Sequence, residues 1–313
     1  MHPQPGPNRT DESTMRVAEL TSLGVLVVSG TDAQTFLQGQ LTADINALAP
    51  QSATSAAWCT AKGRVLASLI VLRRDDDFVL VIDRSLAAGI ARRLSMYVLR
   101  SKVQVRDDSS QTALFGLDGS DLPPGPELAW TACRAGVIDW LCLGPGHWLG
   151  IATSLTCSVD TLAQTAGYET HSESQWRCGE LSAGRVWIGT ATQDAYTPQM
   201  LNLDLTGGVS FTKGCYPGQE IVARTHYLGK VKRRLLRARL AASAALKPEL
   251  GMAVHGADPL AAAVGQLVDL ARSDDGSHQV LFLAQPDVLA AALHLGAADG
   301  PRLEPQPLPF TLD

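Results

Sequence analysis

Two apolar runs, RVLASLIVLRR (64–74) and DFVLVID (77–83), are separated by nothing longer than the acidic turn Asp75 to Asp77. A connection that short joins antiparallel neighbours, because a parallel return needs a dozen or more residues. The hairpin therefore commits the first part of the chain to an antiparallel sheet. GVLVVSG (24–30) reads as a further strand. TDAQTFLQG reads as a helix with Thr31 as cap, Gln34 three residues on and Gly39 as stop. TSAAWCT and KVQVRD read as strands, and SLAAGIARRLSMYVL as a helix capped by Ser85, with Leu86, Ile90, Leu94, Tyr97 and Val98 on one face. The fold class is α+β, with helices backing a mainly antiparallel sheet.

The Pro/Gly cluster GSDLPPGPE (119–127) marks a boundary. Beyond it, VIDWLCLG and HWLGIAT predict a hairpin around Gly144-Pro145-Gly146, and SVDTLAQTAG predicts a helix. SESQWRCGELSAG predicts another, with Ser172 and Gln175 in capping-box spacing. From Lys230 onward the pattern changes to strands: RRLLRARL alternates at 236, 238 and 240, and AAAVGQLVDL and HQVLFLAQ follow, as in a small β domain. The expected divisions are a disordered start (1–18), an α+β unit (19–118), a second α+β unit (119–232) and a β domain (233–313).

Lys and Arg number 26 against 31 Asp and Glu, a formal charge of −5 that by itself implies neither nucleic-acid nor membrane affinity. The balance is uneven: Lys213 to Arg239 holds eight basic residues against the single acid Glu220. No apolar run approaches the roughly 20 residues of a membrane helix, and MHPQPGPNRTDEST has no secretory h-region, so a cytoplasmic protein is expected. Six cysteines (59, 133, 142, 157, 178 and 215) show no CxxC pair, which suggests neither a zinc site nor a self-contained iron–sulfur cluster. In a reducing compartment they are free thiols.

The stretch FTKGCYPGQE (211–220) concentrates the chemistry. Pro217-Gly218 fits the central pair of a type II turn, and QEIVARTHYLG then reads as a helix ending at Gly229. Cys215 thus lies just ahead of a helix N-terminus, with Lys213 on the same face if the piece is extended; both features lower a thiol pKa. Cys215 is a candidate thiolate, and the bland alternative is a small buried filler. Papain-like catalysis would need a histidine base, for which His226 is nearest in sequence. Trp176, on the preceding helix, either packs in the core or stacks on a flat ligand ring. The basic run is either a solvated strand face or the border of an anionic partner's site, which a folate polyglutamate tail, a phosphate or an RNA backbone would fit.

The span GTATQDAYTPQMLNLDLTGGVSFTKGCYPGQEIVARTHYLGKVKRR resembles the signature of the YgfZ family, folate-binding relatives of the glycine-cleavage T-protein (aminomethyltransferase). GTDAQTFLQGQLTADI, CTAKGR and the ending LEPQPLPFTL support the match, which covers roughly residues 20 to 311. The resemblance implies a T-protein-like ring of three subdomains with ferredoxin-like elements, antiparallel sheets and a C-terminal β-barrel. It implies tetrahydrofolate as ligand and a role in making or repairing iron–sulfur clusters, including those of enzymes that thiolate tRNA, so that cluster-assembly or client proteins are the expected partners. Direct nucleic-acid binding is not expected of so acidic a chain. Carried onto this sequence, the site comprises Cys215 and Lys213 for chemistry, and Trp176, Asp194, Gln199, Asn202, Gly214, Gly218, Gln219, Glu220 and Arg224 for the folate. The T-protein's adjacent aspartates correspond to Ala67 and Ser68 here, which argues against aminomethyl transfer and against an enzyme of that kind. A folate-stacking tryptophan near the N-terminus of some relatives corresponds to Leu23. The alternative is a folate-dependent C1 transferase in which Asp44 or Asp194 replaces the lost acid.

Overall fold

The computed structural model describes residues 15–119, 128–153, 157–242, 246–258 and 260–312. In chain order the first elements are β1 (Arg16–Glu19), β2 (Leu23–Ser29), α1 (Ala33–Gln40), β3 (Ser52–Cys59), β4 (Val65–Arg73), β5 (Asp77–Asp83), α2 (Arg84–Ser95), β6 (Gln104–Asp107) and β7 (Ala113–Asp118). There follow β8 (Ala132–Ala135), β9 (Ile138–Gly144), β10 (His147–Ala152), α3 (Val159–Ala166), β11 (Glu169–Thr170), α4 (Glu173–Ser182) and α5 (Gln219–Leu228). The last part holds β12 (Arg234–Leu240), β13 (Ala253–His255), β14 (Gly265–Arg272), β15 (His278–Ala284), β16 (Leu293–Leu295) and β17 (Arg302–Gln306).

Strands β3-β4-β5-β2-β6 form the first sheet, antiparallel throughout. Its inner strands β4, β5 and β2 are apolar on both sides because both faces are covered. From β2, Leu26 and Val28 pack toward α1 and α2, whereas Leu23, Val25 and Val27 join a second cluster with Leu141, Leu149 and Ile151 of the neighbouring sheet. That continuous burial, rather than alternation, is what a strand between two layers requires.

The second sheet runs β11-β1-β7-β10-β9-β8, and α3 packs on its far face. It takes β7 from the stretch expected to form the first unit, and β1 mostly from the expected disordered start. The expected division at 118/119 therefore separates β7 from β10, and the one at 18/19 cuts through its other partner, β1. Residues 1–14 of the expected disordered start lie outside the described residues, as do 120–127 of the Pro/Gly cluster, whereas 16–18 form part of β1. The third unit is a closed six-stranded barrel, β12-β15-β14-β13-β16-β17, whose core takes Leu236, Ala238 and Leu240 from β12 as their alternation predicts. No helix among the described residues is long and apolar enough to cross a membrane.

Helix ends differ in detail from expectation. Helix α1 is capped at Asp32 rather than Thr31, and the Asp32 carboxylate accepts from the Lys102 backbone N–H instead of its own helix; Gly39 lies inside the helix. For α2 the cap is Asp83, which accepts from the backbone N–H of Ser85. Ser172 caps α4 through the Gln175 N–H, as predicted.

Candidate functional site

The turn before α5 has the geometry its sequence predicts. Gly218 adopts φ 82° and ψ 1°, and the Gln219 N–H donates to the Tyr216 carbonyl at 3.2 Å, the pattern of a type II turn. A Cβ at 218 would meet the Thr60 carbonyl oxygen at 2.4 Å and Gly63 Cα at 2.7 Å. Glycine is therefore needed both for the conformation and for the contact, which seats the motif on the CTAKGR turn of the first unit. Val222 of α5, with Leu201, Leu203 and Val209, completes the cluster on the α1/α2 face of the first sheet. The motif was expected in the second unit; it packs against the first because these apolar side chains close that unit's core.

Lys213 is buried, and its Nζ donates to the carbonyls of Gln38 (2.6 Å), Leu41 (2.6 Å) and Ala43 (2.8 Å) around the end of α1. All three ammonium protons are thereby used. The same ammonium lies 5.3 Å from the Tyr216 ring centroid. Burial pulls its pKa down to about 8, against the opposing charge of Asp44. Cys215, two residues on, is exposed. The two side chains thus do not share a face as expected: the amine ties the loop down, and the thiol is presented outward. His226 stacks on Phe211 with ring centroids 3.7 Å apart.

Two cavities adjoin at Trp187. One, of about 690 Å³, lies where all three units meet and is walled by Asp83, Arg84 and Ser85, Arg177 of α4, and Val268 and Asp269 of the barrel. Arg177 pairs with the buried Asp269 across it. The other is a slot between the first sheet and the chain after α4, lined by Ser55, Ser68, Glu180, Arg185, Leu201 and Leu203, with only about 20 Å³ free. In its wall Ser68, one of the two residues the resemblance sets against the T-protein aspartates, accepts from the Ile188 N–H at 2.9 Å and donates to the Val186 carbonyl at 2.8 Å. It is a fastener between β4 and the segment bearing Trp187.

Behind the slot stands a buried chain of charge. His147 Nδ1 lies 2.6 Å from Asp118 Oδ1, and its Nε2 lies 2.9 Å from Glu180 Oε1. Arg185 also donates to Glu180 Oε1, from Nε at 2.9 Å and Nη2 at 2.7 Å. With a carboxylate oxygen facing each ring nitrogen, the imidazolium is the form that satisfies both. Burial opposes its charge, yet the hydrogen bonds to Asp118 and Glu180 outweigh it and raise the His147 pKa. Burial likewise works against the Glu180 charge, but Arg185 and His147 bring its pKa to about 2. Glu180 Oε2, fully buried, has no partner among the described residues, and neither does Trp187 Nε1. A bare carboxylate oxygen and a bare indole N–H at one slot are unsatisfied groups of the kind a polar ligand completes.

Trp176 is enclosed, its ring against Gly116 and stacked on His147 at 4.8 Å, with Nε1 donating to the Trp148 carbonyl at 3.0 Å. It offers no open face to a ligand ring. Leu23 lies in the same apolar cluster. Gln199 is buried and donates to the Val222 carbonyl at 2.6 Å, and Asn202, at φ 59°, donates to the Leu235 carbonyl at 2.9 Å. Asp194 is exposed in a left-handed turn. Gly214, Glu220 and Arg224 are exposed, and Gln219 begins α5. None of the residues expected to hold folate lines either cavity, nor do Cys215 and Asp44. The cavity-facing Glu180, Arg185 and Trp187 were missed, although a glutamate four residues after Trp176 on the buried side of α4 was a readable signal.

Two layered sheets and a closed barrel meeting at a three-way cavity define a protein of the aminomethyltransferase fold. The glycine-cleavage aminomethyltransferase T of Bartonella henselae superposes with a TM-score of 0.75 over 96% of this chain and 87% of its own, at 16% identity. Residues 10–121 match the GCVT N-terminal domain. The "tRNA-modifying protein YgfZ" of Edwardsiella ictaluri is 32% identical over 74% of this chain and 73% of its own length, and that of Colwellia psychrerythraea is 27% identical over 94% and 93%. The chain belongs to the YgfZ family.

Proposed function

We propose that the protein is a tetrahydrofolate-binding accessory factor that supports the assembly or repair of iron–sulfur clusters in enzymes that modify tRNA, with Cys215 as its reacting thiol. The observation that carries the folate reading is the pair of unsatisfied groups at the slot, Glu180 Oε2 and Trp187 Nε1. A pterin presents amine and amide N–H donors on one edge and a carbonyl acceptor beside them, which complements a bare carboxylate oxygen and a bare indole N–H. Across Trp187, the larger cavity has room for the aminobenzoyl-glutamate part, with Arg84 on its wall for a carboxylate. The donor set fits the ligand; the free space in the slot is smaller than a bicyclic ring, so binding must widen it at Leu201 and Leu203.

Bound folate would supply a carrier or sensor of one-carbon units, while the chain's own residues bind and orient it. Cys215, on a loop fixed by Lys213 and open to solvent, is suited to meeting a macromolecular client rather than the buried ring. The relatives' description as tRNA-modifying supports the client class. For the alternative, C1 transfer, neither Asp44 nor Asp194 reaches a cavity, and Ser68 is committed to the backbone.

Calorimetric titration with tetrahydrofolate tests the first half. We expect saturable binding, weakened about tenfold in Glu180→Gln, the scale of one charge-assisted hydrogen bond. Absence of binding to the unmodified protein removes folate from the account. Cys215→Ser, assayed through cluster-dependent enzyme activity in cells under oxidative stress, tests the second half; undiminished activity removes the thiol.

A further inference from the structure

Cys215 emerges on a surface of unusual make-up. Helix α5 exposes Ile221, Tyr227 and Leu228, and the end of α2 with the residues after it exposes Met96, Tyr97 and Leu99. These are six of the eleven large apolar side chains that stand exposed among the described residues, a concentration that isolated surface residues do not produce.

Buried contacts link the two groups through the core beneath the motif. The Tyr97 ring meets Trp58 edge-on at 6.1 Å, and the Arg93 guanidinium lies 5.4 Å from the Trp58 ring. Trp58 bridges to Leu41, whose carbonyl holds Lys213. On the other side Gly63 abuts Gly218 and Ile221, which brings the exposed Lys62 beside α5.

The segments that expose these side chains, and the residues beside them, are rich in unpaired cations. Lys62, Arg92, Arg93, Arg100, Arg224, Lys230, Lys232 and Arg233 are exposed, and none forms an ion pair with a described residue. Arg234 and Arg239, from the same basic run, are by contrast held by Asp204 and by Asp275 and Glu304. The run therefore divides into cations spent on the fold and cations left at the surface. Glu220 on α5 and Asp44 near Lys213 are the acids of this neighbourhood, and between 213 and 239 eight basic residues face that one glutamate, so the chain's total charge is no guide to this face.

We propose that this surface docks a single-stranded RNA segment, its phosphates on the unpaired lysines and arginines and its bases on the rings of Tyr227, His226 and Tyr97, with the Cys215 thiol beside the strand. Rings favour RNA over an acidic protein face. His226 is stacked on Phe211 and meets Tyr227 edge-on at 4.8 Å, a short aromatic ladder that a flat base can extend. Cations interleaved with such rings are how sequence-tolerant single-strand binders work. The inference goes beyond the folate reading and uses no residue of the slot.

The test is fluorescence anisotropy of a labelled, unstructured RNA oligonucleotide with the full-length protein between 50 and 200 mM salt. Engagement of about four phosphates gives a slope of about −3 in log affinity against log salt. Lys230→Glu with Lys232→Glu weakens binding at least tenfold and flattens the slope by about 1 to 2. Tyr227→Ala weakens it roughly tenfold with the slope unchanged, the mark of lost stacking. Bound RNA also slows alkylation of Cys215. Unaltered circular dichroism melting verifies that the variants fold. Absent binding at 50 mM salt, salt-independent binding, variants that bind as well as the parent, or polyglutamate binding as tightly as RNA would each overturn the proposal. Tetrahydrofolate titration of the same variants remains normal in either case.

Discussion

His147 and Glu180, 33 positions apart in sequence, meet at 2.9 Å inside the second unit, where the imidazole is clasped between that carboxylate and Asp118. A histidine held charged by hydrogen bonds to two acids, against the cost of its burial, binds its proton more tightly folded than unfolded. Its contribution to stability is fully present below its ordinary value of 6.5 and is lost as pH rises through the raised folded value. The charges facing it are Asp118, Glu180 with its partner Arg185, and His171, whose own pKa burial lowers. We therefore expect the melting temperature to fall on the alkaline side of neutrality, and His147→Gln to flatten that limb in a thermal series across pH.

Removing Glu180 altogether leaves Arg185 and the imidazolium without their shared acceptor. Glu180→Ala should cost about 3–5 kcal/mol, the usual penalty for stranding one side of a buried pair. Denaturant unfolding measures it, and a loss under about 1 kcal/mol would contradict the clasped arrangement.

Lys213→Ala frees three carbonyls at the end of α1 and releases the loop that carries Cys215. At about 1 kcal/mol for each lost bond, the expected destabilisation is about 2–4 kcal/mol. Hydrogen exchange should rise at 38–43 and 211–218 together, since one ammonium holds both.

Ser68→Ala removes a hydroxyl that both accepts and donates between β4 and the Trp187 segment, and should cost about 1–3 kcal/mol. Ser68→Asp places a carboxylate at one of the two residues the resemblance sets against the T-protein aspartates, yet a carboxylate cannot donate to the Val186 carbonyl. We expect a lowered melting temperature and no aminomethyl-transfer turnover in a coupled folate assay.

Gly218→Ala places a Cβ 2.4 Å from a carbonyl oxygen in a left-handed conformation. Loss of about 2 kcal/mol or more, with α5 loosened from the CTAKGR turn, is the expected result by denaturant melt.

Local chemistry was readable wherever a residue acts on its near neighbours. The Ser172 cap, the type II turn at Gly218 and the alternation of β12 all depend on contacts within a few positions. Partnerships across long separations were not. Spacing could not show that Lys213 turns inward to Leu41, 172 residues earlier, rather than along the face of Cys215. Nor could it show which of two tryptophans in one short stretch is walled in: Trp176 meets Gly116 and His147, whereas Trp187, past the end of α4, reaches the cavities. The family motif pointed to its own polar residues, while the unsatisfied groups at the slot came from Glu180 of α4 and from Trp187, just ahead of the motif.

The antiparallel pairing of β1 with β7 has a consequence for biosynthesis. Everything between them, residues 20 to 112, is an insertion looped out of the second sheet, and it contains all five strands of the first. As the polypeptide leaves the ribosome, the inserted sheet can mature while its host waits for β9 and β10, so the leading strand must stay unpaired through most of the first hundred residues of synthesis.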